Sequence, residues 1–111
     1  MRAGDIIDVD FGVPAGSEPG FRHPAVVVTA DLVLEARPRT VHVVPVTSNT
    51  ERALPTEVPI DAAGLTKDSV AQCHLCTVVS PVRIVDDRYG NVGPASLAAI
   101  RVVLADLLDI V

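Results

Sequence analysis

Arg22-His23-Pro24 sets a guanidinium beside an imidazole, and the carboxylate of Glu18 stands four residues before Arg22. Thr47-Ser48-Asn49-Thr50 adds three hydroxyls and an amide, and His74 supplies a second isolated imidazole. These are the groups that transfer of a ribonucleic phosphodiester needs. A base takes the 2′-hydroxyl proton, cationic or hydrogen-bonding donors hold the pentavalent phosphorane, and an acid protonates the departing 5′-oxygen. Histidine serves as acid or base. Arginine holds phosphate bidentately, and a threonine hydroxyl adds a donor. A plainer reading stands beside this one: Ser, Asn and Thr after a strand are ordinary turn residues, and arginines are common on surfaces.

The positions of these residues depend on short strands. Asp5–Phe11 alternates, with Ile7, Val9 and Phe11 on one face and Asp8 and Asp10 on the other, which predicts a half-buried strand. Gly12–Phe21 reads as a loop, and Pro24–Thr29 as a buried strand. Ala30–Thr40 reads ambiguously, as a loop with room for a short helical turn. Val41–Thr47 is β-branched, with Pro45 suggesting an edge or a bulge. Thr56–Ile60 is a short strand, 61–64 a turn, Ser69–Val79 a long strand and Arg88–Val92 a last one. From Pro94 to about Leu108, Leu97, Ile100, Leu104, Leu107 and Val111 recur at helical spacing. Leu108 and Ile110 lie off that stripe, and burial at a subunit interface would explain them. Many short strands followed by one helix predict a mainly β fold, a small antiparallel barrel capped by a C-terminal helix.

The chain has 111 residues, of which 49% are hydrophobic and 21% charged. That composition predicts one ordered domain, residues 1–111. No apolar run reaches the ~18–20 residues that span a bilayer. The first residues lack an apolar signal-like stretch, so a cytoplasmic location is expected. A formal charge of −5 and only three aromatic residues argue against bulk attraction to nucleic acid.

Cys73-His74-Leu75-Cys76 is a CxxC, but zinc needs four ligands and no second CxxC exists. In a strand, residues i and i+3 face opposite ways, so the thiols are expected to diverge. No metal or cofactor is expected.

The ordered segments resemble the MazF/PemK family of toxin endoribonucleases. The opening strand of the family, G-D-[IL]-hydrophobic-x-V-D-[FL], stands here as Gly4-Asp5-Ile6-Ile7-Asp8-Val9-Asp10-Phe11. Gly16-Ser17-Glu18 matches its G-S-E loop, and His23-Pro24-Ala25-Val26-Val27 its R-P-A-V-V. Val43-Val44-Pro45-Val46-Thr47-Ser48 matches V-x-P-[VCL]-T-[ST]. Pro55-Thr56-Glu57-Val58 resembles its [YL]-P-x-[EH]-V segment. Gly64-Leu65 and Lys67-Asp68-Ser69-Val70 match G-L-x-x-D-S-V.

This resemblance implies an SH3-like β-barrel of the MazF/CcdB type and a homodimer. It implies metal-independent, sequence-specific cutting of single-stranded RNA to 2′,3′-cyclic phosphate and 5′-hydroxyl ends. A cognate MazE-like antitoxin would cover the RNA groove at the dimer interface. In such toxins the Arg of R-P-A-V-V and the Thr of P-x-T form the catalytic pair. The threonine carries over to Thr47, but His23 stands where the arginine would be, with Arg22 before it. The expectation is His23 as acid and base, Arg22 on phosphate and Thr47 as donor. Ser17, Glu18, Phe21, Ser48, Asn49, His74 and Thr77 are expected to bind substrate, with Phe21 stacking on a base and His74 a candidate to complete a pair with His23. His74, Leu75 and Thr77 replace the acid, amide and basic residue common in relatives, so a different RNA sequence should be read. Two alternatives remain at this point: a CcdB-like gyrase inhibitor that acts by binding, and a degenerate toxin that only binds antitoxin.

Eight of the nine basic residues are arginines, the phosphate-holding cation. Asp8 and Asp10 are expected on the outer face of a strand far along the chain from Arg22 and His23. The negative charge would then describe the surface as a whole, and binding would depend on one groove.

Overall fold

Apolar residues alternate between two packed faces along the central strands, which explains why those strands read as continuous hydrophobic runs. The computed structural model describes residues 1–61, 64–86 and 89–110. Its strands are β1 (Ile6–Asp10), β2 (Arg22–Val27), β3 (Val41–Thr47), β4 (Glu57–Ile60), β5 (Ser69–Gln72), β6 (Thr77–Val79) and β7 (Ile84–Asp86). A short helix, α1 (Asp31–Glu35), follows β2, and α2 (Gly93–Leu107) ends the fold. All pairings are antiparallel, in the order β4-β5-β3-β2-β1-β7, and β6 also pairs with β3. The fold is mainly β with a C-terminal helix, as expected.

Ile6, Val26, Val44, Val46, Val58, Ala71 and Cys73 pack on one face together with Ile100 of α2. Ile7, Val9, Ala25, Val27, Val41, Val43 and Val79 pack on the other. The first strand is therefore buried on both sides, contrary to its half-buried reading. Asp8 is 4% exposed. Burying a lone carboxylate would be costly, and Arg22 offsets that cost with a hydrogen-bonded ion pair to Asp8. Register explains the contact. Asp8 lies opposite Pro24 and Asp10 opposite Arg22, so Arg22 reaches Asp8 diagonally on one face. The expectation of an outward Asp8 is thus corrected.

The long strand expected over Ser69–Val79 is two strands, separated by a 3₁₀ turn at Cys73–Leu75. Cys73 sinks into the core, its amide donating to the Thr56 carbonyl at 3.0 Å, and the chain turns there. As a result β3 pairs with β6 through Val41–Val43 and with β5 through Val46–Thr47. Pro45, which has no N–H to give a ladder, sits where the partner changes. Instead of a strand at Arg88–Val92, the last strand is Ile84–Asp86, and Asn91 makes an isolated bridge to Asp5. Arg88, part of the expected turn at 61–64 and Val111 lie outside the described residues.

Helix α2 begins at Gly93, whose φ of +84° suits glycine. Leu97, Val103 and Leu104 flank the fully buried Ile100 against the core. Leu108 and Ile110 are 68% and 61% exposed in the single chain. Among the described residues no helix is long and apolar enough to cross a membrane.

Candidate functional site

Strand register builds the site. Ala25 pairs with Pro45 across β2 and β3, and continuing that register by two residues brings His23 level with Thr47. On its other side Thr47 pairs with Val70 of β5, which draws Lys67–Ser69 alongside. These segments enclose an open cavity of about 480 Å³. Its described lining includes His23, Pro24, Thr47, Ser48, Lys67, Ser69 and Tyr89. The strand-end imidazole and hydroxyls singled out from the sequence therefore converge.

The Thr47 hydroxyl oxygen accepts the Asn49 amide at 3.1 Å. With that acceptor role filled, its O–H remains to donate into the cavity. Asn49 in turn accepts from the Glu51 amide at 3.2 Å. Asn49 thus shapes the turn that leaves β3, and it does not line the cavity.

Arg22 and His23 part company. His23 lines the cavity, whereas the Arg22 Nε donates to Asp8. That hydrogen bond, followed by the Asp8 charge itself, raises the guanidinium pKa above its ordinary value. Arg22 stays exposed at its outer end but is not part of the cavity lining.

The other expected binding residues spread elsewhere. Ser17 and Glu18 are exposed, and a Glu18 oxygen accepts the Ala15 amide at 3.0 Å. Glu18 shares a smaller recess of about 220 Å³ with Thr77, Phe11 and Arg83. Phe21 is 65% exposed with φ +59°, and its backbone bonds to Phe11 and Gly12 close the loop between β1 and β2. It is absent from the cavity, whose aromatic residue is Tyr89.

His74 was expected mid-strand and as a partner for His23. The structure separates the two. His74 lies on the 3₁₀ turn, its Nδ1 2.8 Å from the Thr56 hydroxyl, and lines a different, largely apolar cavity of about 850 Å³. Thr77, Cys73, Cys76 and Leu107 line that cavity too. The strand expected to separate the two thiols is replaced by a turn, in which the Cys76 amide bonds to the Cys73 carbonyl at 3.1 Å, and both cysteines line this one cavity. Burial pushes the Cys73 thiol up to about 11 and raises Cys76 as well. Both are thus neutral thiols near pH 7 and poor nucleophiles. Among the described residues no three His, Cys, Asp or Glu side chains gather to hold a metal.

Sequence reasoning about chemistry passed over Lys67, Ser69, Tyr89 and Gly64, although Lys67 is the only lysine and Tyr89 the only tyrosine. Gly64 joins two walls of the cavity. Its amide donates to the Tyr89 carbonyl at 3.2 Å. A Cβ there would lie 2.3 Å from the Tyr89 Cα and 2.6 Å from its carbonyl oxygen. Both are backbone atoms and cannot swing aside. Gly64→Ala should therefore cost ~1–3 kcal/mol of stability by overpacking and displace the Tyr89 wall. A melting curve checks this, and an unshifted melting temperature would contradict it.

Known proteins resemble this chain in sequence and in fold. The family model described as "PemK-like, MazF-like toxin of type II toxin-antitoxin system" matches residues 2–108. Endoribonuclease MazF9 of Mycobacterium tuberculosis is 34% identical over 116 residues, covering 99% of this chain and 98% of that protein. The crystal structure of MazF (form I) from Deinococcus radiodurans superposes with a TM-score of 0.83 at 26% identity, covering 98% of this chain and 96% of that one. The MazE–MazF structure (form II) from the same organism gives 0.78 at 25% identity, over 100% of this chain and 97% of that one. The barrel-like fold is common to them.

Proposed function

The chain belongs to the PemK-like, MazF-like toxins of type II toxin–antitoxin systems, and from that membership and its cavity we propose that it is an endoribonuclease acting in the cytoplasm on single-stranded RNA. The observation that carries this reading is the convergence of His23 and Thr47 in one open cavity that Ser48, Lys67 and Ser69 also line.

The chemistry balances on these residues. His23 takes the proton of a ribose 2′-hydroxyl. The 2′-oxygen bonds to phosphorus as the bond from phosphorus to the 5′-oxygen breaks. The imidazolium then returns a proton to that departing oxygen. The Thr47 O–H donates to a non-bridging oxygen, where charge develops in the transition state. The products are a 2′,3′-cyclic phosphate and a 5′-hydroxyl. No step requires a metal or cofactor. Arg22, held from Asp8 by its Nε, keeps its terminal nitrogens for a phosphate further along the strand. Ser48 lines the cavity and adds a donor. Ser17, Glu18, Phe21 and Thr77 lie outside it, and in this reading they contact flanking nucleotides. Asn49 acts through Thr47.

The partners follow from the family. The exposed Leu107, Leu108 and Ile110, beside the large apolar cavity, form the face on which a second copy docks. A MazE-like antitoxin then masks the RNA groove of the dimer.

Thr47→Val tests the proposal at nearly constant side-chain shape. It should slow cleavage about 10–10³-fold, the cost of losing one transition-state donor, while RNA binding changes little. Thr47→Ser should restore most of the rate. A valine variant as fast as the parent would overturn the role of the hydroxyl.

A further inference from the structure

Resting on the nuclease reading, we propose that Lys67 is the cation that holds the phosphate under attack, a part that in this chain falls to neither Arg22 nor His23. The argument is one of charge and place. His23 occupies the position where the R-P-A-V-V pattern carries a permanently charged guanidinium. Arg22, next to it, faces away and is committed through Nε to the buried Asp8. Lys67 lines the same cavity as His23, Thr47 and Ser48. Among the described residues no carboxylate pairs with its ammonium.

The backbone beneath it is fixed. The Lys67 carbonyl accepts from the Ser69 hydroxyl at 3.0 Å. Ser69 begins β5 and pairs with Ile60, and the next residue, Val70, pairs with Thr47. The lysine is thus anchored three residues from the cross-strand partner of the proposed donor, on a stem long enough to follow a phosphate. An ammonium is a compact, movable charge with three donors. It can approach a phosphorane oxygen without the planar fit that a guanidinium demands.

The chain offers a direct test, because Lys67 is its only lysine. An amine-selective acetylating ester modifies Lys67 and the N-terminal amine and leaves the guanidinium groups alone. Acetylation should lower kcat of the parent at least tenfold, and Lys67→Ala should do the same. Lys67→Arg should keep the rate within about threefold and should resist the ester, which separates Lys67 from the N-terminus. Because one phosphate contact is lost, the salt dependence of RNA binding should flatten by about 0.7 in log–log slope for Lys67→Ala. A structural role for the exposed side chain would not produce that change of slope. Acetylated protein or Lys67→Ala that cuts at the parental rate with an unchanged salt slope overturns the inference while leaving the nuclease reading intact. Unmodified protein that cuts no RNA overturns both.

Discussion

His23→Ala should reduce RNA cleavage about 10²–10⁴-fold, the usual span for loss of a positioned acid–base group, with the fold unchanged. The side chain is exposed at the start of β2 and belongs to neither core cluster, so truncation removes chemistry and leaves packing intact. The strand itself stays paired through Ala25–Val27. His23→Arg is the informative companion. It installs the residue of the R-P-A-V-V pattern, and if the cavity needs only a charge there, the variant will cut as well as the parent. If the parental chain uses imidazole acid–base chemistry, the two will differ in the pH dependence of kcat. The check is initial rates on one RNA across pH 5–9, with circular dichroism to verify the fold. Full activity in His23→Ala would remove the central assignment.

Ile100→Ala should destabilise the protein by about 2–5 kcal/mol, the range for emptying a buried aliphatic site that relaxes only in part. Ile100 is fully buried and joins α2 to residues of β1, β2, β3, β4 and β5 in one cluster. Its neighbours on the helix help less, because Leu97, Val103 and Leu104 are only partly buried. Among the described residues, polar contacts from the fold to α2 include Arg101 to the Val28 carbonyl at 3.2 Å and the Cys73 thiol to the Ile100 carbonyl at 4.0 Å. For a domain of this size the loss corresponds to a fall of roughly 10–20 °C in melting temperature. Ile100→Val, which keeps most of the volume, should cost about 0.5–1.5 kcal/mol. Thermal melts at one protein concentration decide, since association of copies would itself shift the midpoint. An alanine variant melting within about 3 °C of the parent would show that the helix does not complete the core.

Local pattern made some of this legible. Val41–Thr47 is a strand because five of its seven residues are β-branched, the valines packing on both faces, and it ends where the hydroxyl residues begin. The helix beginning at Gly93 followed from apolar spacing of three and four with Pro94 at its start. What failed had non-local causes. Asp8 alternates with apolar residues as an outward residue would, but its environment is decided by Arg22, fourteen residues later. Ser69–Val79 is rich in strand formers, yet tertiary packing of Cys73 beneath α2 and its bond to Thr56 impose a turn. His74 lies on that turn and lines a different cavity from His23. The pairing of His23 with Thr47 was not legible from spacing at all. It came from the family resemblance, and the β2–β3 register supplies its geometry. Lys67 and Tyr89 were missed because a cation and an aromatic ring between turn residues carry no local signature of a site.

The most direct test is to incubate the purified protein with a long single-stranded RNA in excess EDTA and map both ends of every fragment. Metal-free cutting at one recurring sequence, leaving 2′,3′-cyclic phosphates and 5′-hydroxyls, is the predicted result. Intact RNA, or fragments that carry 5′-phosphates, would contradict it.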